Sequence, residues 1–288
     1  MSAIPIPIPI PMPNLPRRAR ESHKGDYGKV SIFAGSVGYT GAPCLAAGGA
    51  LRAGGGLVFV GTPGIVYPTV AAKLLCAMPY PLGEGPCLTE KELEQAVATC
   101  KDKDAVAVGP GLGTDPSTGA FVRRFVRRVD CPLVLDADGI NALCGHIDTL
   151  DSRGDRVTVL TPHMGEFARL LGREVGQDRE AEVRDFAQSH GCYLVLKGHR
   201  TLVACPDGKI YVNQTGNPGM ATGGAGDVLT GMVASFLGQG FQPECAVTWA
   251  VYLHGLAGDL AAEALGEYAM TAADILEYLP RAMMAAGG

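Results

Sequence analysis

Charge is scarce in this chain of 288 residues. Lys, Arg, Asp and Glu make up 18% of it, against a usual share of about 25%. The net charge is −5 with the basic residues scattered, a balance that fits neither a nucleic-acid surface nor an anionic membrane surface. Metal-site spacing is missing as well. No CxxC pair occurs, and none of the six histidines stands in an HxxxH or HExxH arrangement, so a structural zinc site is excluded. The nine cysteines never approach closer than eleven residues and sit in apolar runs. They read as reduced core thiols of a cytoplasmic protein, not as a disulfide framework. The longest apolar stretches are broken by Arg52 and Lys73, which leaves no membrane span. Residues 2–16 alternate Ile with Pro. Proline excludes a helix there, and a basic start followed by an apolar helical region, the mark of a signal peptide, is lacking. A polyproline-like tail or linker over residues 1–22 is expected, followed by a single domain over residues 23–288.

Glycine, by contrast, is abundant: 40 residues, about twice the usual abundance, which suggests many tight loops and close packing. Short apolar runs alternate with helical patterns. VSIFAG (30–35), LVFVG (57–61), the AVAV opening of 105–115, PLVLD (132–136) and VTVL (157–160) read as strands. Residues 42–53, 89–100, 244–265 and the capped TAADILEYLPRA at 271–282 read as helices. Residues 193–213 read as three strands, with a Pro206-Asp207-Gly208 turn between the last two. Residues 62–80 carry no pattern that assigns their elements. At least five strand–helix units predict an α/β fold, a mainly parallel sheet with helices on both faces.

The chain is organised around residues 216–231, GNPGMATGGAGDVLTG, with five glycines within eleven residues. Behind them Val228, Leu229, Met232, Val233, Phe236 and Leu237 form one apolar helical stripe. Glycines feeding a helix N-terminus leave room, N–H groups and a favourable dipole for an anion. The stretch is not a Walker loop, since no Gly-Lys-Ser/Thr follows it, and no strand leads into GxGxxG with a later acidic residue as in a Rossmann oxidoreductase. Asp227 reads either as an N-cap or as a base taking a proton from a hydroxyl.

Other candidates lie at strand ends, where open α/β sheets bind ligands. Gly109, Gly111 and Gly113 read as a ligand floor or as a tight turn. Asp136 and Asp138 read as a helix cap or as carboxylates facing a hydrated Mg²⁺ or a substrate amide. Pro162 starts a helix, beside His163, and Glu166 belongs to the electrostatics of that helix's first turn. The loop KGHRT (197–201) is an exposed basic turn on the ordinary reading. His254 and Asp259 read as packing or capping residues.

Five segments in order, SHKGDYGKV, GPGLG, TPHMGE, KGHRT and GNPGMATGGAGD, resemble the ribokinase-like superfamily, and within it the dehydratases that repair hydrated NADH and NADPH. The resemblance spans roughly residues 22–281. It implies ADP- or ATP-dependent dehydration of the S-epimer of NADHX or NADPHX, with Mg²⁺ on the nucleotide and ADP favoured. It makes Asp227 the catalytic base and places Ala42, Gly111, Gly113 and His163, with Asp227, against the substrate. It places Lys197, Gly198, His199, Arg200 and Thr201 over the nucleotide's ribose and phosphate, with Gly224, Ala225 and Gly226 holding the transferring phosphoryl group. No direct metal ligand is assigned. A homotetramer and functional pairing with an NAD(P)HX epimerase are further implications, the tail then being the remnant of a fusion junction. The alternatives are a small-molecule kinase of the same fold and a non-catalytic sensor of NAD(P) and ADP.

Overall fold

The computed structural model of the chain describes the backbone of residues 6–8 and the whole of residues 15–287. Its strands are β1 (Ile6–Ile8), β2 (Lys29–Phe33), β3 (Leu57–Pro63), β4 (Met78–Leu82) and β5 (Ala105–Val108), then β6 (Leu133–Leu135), β7 (Thr158–Leu160), β8 (Tyr193–Leu196), β9 (Leu202–Ala204) and β10 (Ile210–Asn213). They form one sheet in the order β1-β10-β9-β8-β7-β6-β5-β2-β3-β4. Only β9 runs against its neighbours; every other adjacent pair is parallel. The loops after β2, β5, β6, β7 and β8 therefore emerge at one carboxyl edge.

Side chains alternate between the faces of a strand, and the central strands β2, β5, β6, β7 and β8 divide their residues between two cores. Val30, Ile32, Ala105, Ala107, Val134, Val159 and Val195 face one side. There they meet α1 (Gly41–Arg52), α9 (Ala225–Gly238), α10 (Pro243–Leu265) and α11 (Ala272–Ala285). Phe33, Val106, Val108, Leu133, Leu135 and Leu194 face the other. That side is covered by α3 (Leu93–Thr99), α4 (Pro116–Arg128), the short α5 (Asp138–Asn141) and α6 (Asp148–Asp151), α7 (Met164–Leu171) and α8 (Arg179–Ser189). The expected two-faced α/β sheet is present.

Three local differences from the sequence reading have physical causes. Residues 62–80 hold the end of β3, the helix α2 (Tyr67–Lys73) and β4. Pro68 occupies the first turn of α2, and β4 tolerates Pro79 and Pro81 because it is an edge strand. Ile6–Ile8 adds an edge strand parallel to β10, with Pro7 opposite Val212; the rest of the tail up to residue 14 lies outside the described residues. Finally, α9 is buried all round and not along one stripe, since every residue from Val228 to Gly238 is buried. It lies between the sheet and its neighbouring helices, where a polar face has no place.

The crossing of α1 and α9 is close enough to exclude side chains. A Cβ on Gly231 would stand 1.9 Å from the Ala46 carbonyl oxygen, and one on Gly49 would stand 2.2 Å from that of Val228. At Gly48, the residue before Gly49, a Cβ would meet only the movable end of Leu276. Gly231→Ala is expected to destabilise the protein by about 3 kcal/mol, and Gly48→Ala by less than about 1 kcal/mol. Urea unfolding of the two variants measures the difference, and equal losses contradict backbone contact as the cause.

Candidate active site

The amino end of α9 is built to meet an anion. Gly224 occupies the N-cap position with φ 96°, a left-handed conformation that favours glycine. A Cβ there would also strike Leu45 Cδ1 at 2.4 Å. No side chain caps the helix, and the amides of Gly224, Gly226 and Asp227 donate to no partner among the described residues. Free first-turn N–H groups and the helix dipole favour negative charge. The loop before it is pinned from α10. Asp259 accepts from the Gly216 amide at 2.9 Å and from Asn217 Nδ2 at 3.0 Å. His254 Nε2 donates to the Ala225 carbonyl at 2.9 Å, and burial pushes its pKa down to about 4, so the ring is neutral. Both residues pack and cap, as their sequence context suggests.

Asp227 is the third residue of α9, beyond the cap position, and its carboxyl caps nothing. The N-cap alternative is thereby removed. Burial raises its pKa to about 7; the Asp136 carboxylate adds to the rise, Lys197 opposes it, and Asp138 and Glu166 contribute further. A carboxyl that titrates near neutrality and lacks a hydrogen-bond partner among the described residues is suited to accept a proton.

Behind it lies a charged cluster. Asp136, 1% exposed at the end of β6, accepts from Lys197 Nζ at 2.8 Å and from Thr230 Oγ1 at 2.7 Å. Lys197 Nζ is also 3.8 Å from Glu166 Oε2. Burial opposes the charge on both partners, yet their mutual attraction outweighs it. Asp136 titrates below the ordinary carboxylate range and Lys197 above the ordinary ammonium range. Lys197 Nζ would stand 3.0 Å from a Cβ on Gly226, so the ammonium abuts the backbone of the anion loop.

His163 caps α7: its Nδ1 accepts from the amides of Gly165 and Glu166 at 3.0 and 3.2 Å. That leaves the ring proton on Nε2, 3.5 Å from Glu166 Oε1. The Glu166 carboxylate returns the bond by accepting from the His163 amide at 2.8 Å. A backbone bridge joins His163 to Lys197, whose amide donates to the Pro162 carbonyl at 2.8 Å.

At the same edge, a Cβ on Gly111 would meet the Ala42 Cβ at 3.0 Å and the Tyr39 Cβ at 2.8 Å, so Gly111 packs closely against both residues. The Gly113 amide donates to Asp138 Oδ2 at 2.8 Å, which ties the β5 loop to α5. Ala42, Gly111, Gly113, His163, Lys197, Gly224, Ala225, Gly226 and Asp227 thus gather at one edge. Gly198, His199 and Arg200 extend outward from it, exposed, in a turn that Thr201 Oγ1 closes by donating to the Gly198 carbonyl at 3.0 Å. Sequence reading missed Thr230. A threonine inside an apolar helix gives no sign of a partner 94 residues earlier in the chain.

A mainly parallel sheet with helices on both faces, a glycine-rich helix N-terminus at its carboxyl edge and a partner-free Asp in that helix's first turn define a ribokinase-like α/β protein. The match to a family model over residues 30–281 goes further: the chain belongs to the NAD(P)H-hydrate dehydratase family. It is 46% identical over 272 residues to the bifunctional NAD(P)H-hydrate repair enzyme Nnr of Moorella thermoacetica, a match covering 92% of this chain and 51% of that protein. It is 40% identical over 257 residues to the ADP-dependent (S)-NAD(P)H-hydrate dehydratase of Neisseria meningitidis, covering 86% and 82% respectively. Among solved structures, the ADP/ATP-dependent NAD(P)H-hydrate dehydratase of Bacillus subtilis, co-crystallised with ATP and Mg²⁺, superposes with a TM-score of 0.79 at 33% identity, covering 95% of both chains. The chain spans about half the length of the bifunctional relatives it matches.

The raised pKa of Asp227 has a stability consequence. Between the ordinary carboxyl value of 3.8 and about 7, the folded state holds a proton that the unfolded chain has released. Folding stability contributed at this site therefore falls as pH rises through that window. Asp227→Asn removes the loss, so its melting temperature is expected to gain on the wild type between about pH 5 and about pH 8. A difference that does not change with pH, measured by calorimetry, contradicts the raised pKa.

Proposed function

We propose that this chain catalyses nucleotide-dependent dehydration of the S-epimer of NADHX and NADPHX back to NADH and NADPH, with ADP favoured as phosphoryl donor. The observation that carries the reading is Asp227, partner-free among the described residues and titrating near 7, beside unbonded amides at the amino end of α9. Hydroxide is a poor leaving group, and phosphorylation of the ring hydroxyl removes that difficulty. Asp227 takes the hydroxyl proton as its oxygen attacks the terminal phosphoryl group, releasing AMP when ADP is the donor. The lone pair of the neighbouring ring nitrogen then expels phosphate, and loss of a proton from the adjacent carbon restores the dihydronicotinamide. The amides around Gly224 and Gly226, with the Lys197 ammonium, meet the charge on the phosphoryl group. Phosphoryl transfer asks mainly for such positioning and charge stabilisation.

Ala42, Gly111, Gly113 and His163 are proposed to contact the hydrated nicotinamide, and the 197–201 turn to cover the nucleotide. The exposure of Gly198, His199 and Arg200 beside the anion loop supports that placement. Mg²⁺ is proposed to arrive on the nucleotide phosphates. Such ions keep several waters and need only one or two carboxylates beside phosphate oxygens, and no group of three His, Cys, Asp or Glu among the described residues forms a metal cage. Pairing with an NAD(P)HX epimerase is supported by the bifunctional names of relatives about twice as long. A homotetramer and a cytoplasmic setting complete the proposal; the nine free cysteines support the latter.

The test is the dihydronicotinamide absorbance after mixing the protein with freshly prepared NADHX, Mg²⁺ and either ADP or ATP. A nucleotide-dependent rise is expected, faster with ADP, together with AMP and inorganic phosphate. Asp227→Ala is expected to lower turnover about a thousandfold while nucleotide affinity stays close to wild type. A stable phosphorylated product would point to a kinase, binding of both ligands without turnover to a sensor, and either would overturn the dehydratase reading.

A further inference from the structure

Four carboxylates and one ammonium cluster near the amino end of α9. Asp136 comes from the end of β6, Asp138 from α5, Glu166 from α7 and Asp227 from α9, while Lys197 comes from the end of β8. The neutral His254 of α10 closes the far side through Ala225. One cation among four anions can pair in several ways. The structure selects one: Nζ lies 2.8 Å from Asp136 Oδ1 and 3.8 Å from Glu166 Oε2. Asp136 can hold it because it cannot itself move. The carboxylate is 1% exposed, and its second oxygen accepts from Thr230 Oγ1 at 2.7 Å, on the same helix as Asp227.

We propose that Asp136 is a positioning residue: it holds the Lys197 ammonium against the Gly226 backbone, so that the cation faces the phosphoryl group at the amino end of α9 and is kept off the proton-accepting carboxylate of Asp227. The reading of the reaction as a phosphoryl transfer to a hydroxyl is taken from the proposed function; the geometry stands without it. A lysine side chain left loose has many rotamers and loses entropy when it is ordered, and here the ordering is done in advance by a buried acceptor. The contact at Gly226 points the same way. A Cβ there would stand 3.0 Å from Nζ, so the loop at this position is bare where the ammonium meets it. Thr230 contributes by fixing the plane of the carboxylate. A buried ion pair is weak evidence of stabilisation in itself, and this one is formed between strand ends that the site requires to be in register with α9.

Without Asp136, Lys197 has Glu166 and Asp227 left as partners. Pairing with Asp227 lowers that carboxyl's pKa and occupies the base. The experiment is a double-mutant cycle on the full chain with Asp136→Asn, Lys197→Met and the two combined. It measures ADP affinity by calorimetry with Mg²⁺ and the pH dependence of kcat with NADHX. Asp136→Asn is expected to reduce kcat about a hundredfold, to weaken ADP binding, and to move the acid limb of the pH profile to lower pH. In the Lys197→Met background the same substitution is expected to cost nothing further in ADP affinity and to lose most of its effect on kcat, since its hold on the phosphoryl-facing cation acts through Lys197, while the direct field of its carboxylate on Asp227 is left as a residual shift of the acid limb. Equal losses in both backgrounds, or wild-type kcat in Asp136→Asn, overturn the proposal. Should Lys197→Met fail to fold around an unpaired buried carboxylate, Thr230→Val takes its place. It keeps both charges and is expected to lower kcat and shift the acid limb in the same direction as Asp136→Asn; an unchanged pH profile refutes the role of the anchored carboxylate. If the wild-type protein forms no dihydronicotinamide, the dehydratase reading falls by itself. The cycle is then read on ADP affinity, where additivity refutes the positioning role and non-additivity supports it.

Discussion

Two opposite charges, Asp136 and Lys197, meet where the carboxylate is shielded from water and the ammonium side chain is only 21% exposed. Removing both from water costs more than most pairs recover, unless further hydrogen bonds complete the set. Here Asp136 has a second hydrogen-bond donor in Thr230, and Lys197 has a second carboxylate, Glu166, at an ion-pair distance of 3.8 Å. The partners come from the ends of β6 and β8 and from the second turn of α9. The pair is whole only when three elements far apart in sequence are in register, so the site forms with the fold and not before it.

That register depends on how closely α9 can approach its neighbours. Its amino end reaches the carboxyl edge of the sheet only because α1 and α9 cross with their backbones in contact at Gly231 and Gly49. Cβ atoms at the crossing would push the helices apart and carry Asp227 and Thr230 away from Asp136. The cost of such a crossing is a core poor in interlocking side chains at that point. The alanines of α1 and the larger residues of α9, among them Val228, Met232 and Val233, compensate by burial in the same core. The abundance of glycine in the sequence is thus partly a packing requirement of one helix pair.

The parts of this arrangement that sequence discloses are those set by local pattern. Apolar runs such as AVAV and VLVL-like segments announce buried parallel strands, and parallel strands oblige their following loops to share an edge. That is why Gly111, Asp136, His163 and Lys197 could be expected together before any coordinates. What stayed hidden depended on partners distant in the chain. Whether Asp227 caps α9 turned on where that helix begins, and the N-cap at Gly224 removes that reading. Residues 62–80 were unreadable because Pro68, Pro79 and Pro81 mimic a loop, and only an edge position makes a strand with prolines acceptable. Ile6–Ile8 had the same ambiguity, since alternating Ile and Pro is extended whether or not a neighbour such as β10 is there to pair with it.

The concentration of acid in the recess follows from the same economy. Asp138 is spent on the Gly113 amide, Glu166 on the His163 amide and Asp136 on Lys197 and Thr230. Each of these carboxylates fixes a loop, and each one's charge is felt by the remaining carboxyl, Asp227. Three structural anions therefore serve a second purpose without moving: together with burial they make a proton on Asp227 more strongly held than on an ordinary aspartate. The raised affinity of Asp227 for a proton comes at the expense of stability near neutral pH. Under the proposed function the same negative charge repels an incoming phosphate, and the backbone N–H groups of α9 with the Lys197 ammonium beside Gly226 offset that repulsion. The Lys197 ammonium is paired with Asp136 and not with Asp227, and the helix that carries Asp227 also carries the Thr230 hydroxyl that steadies that pair.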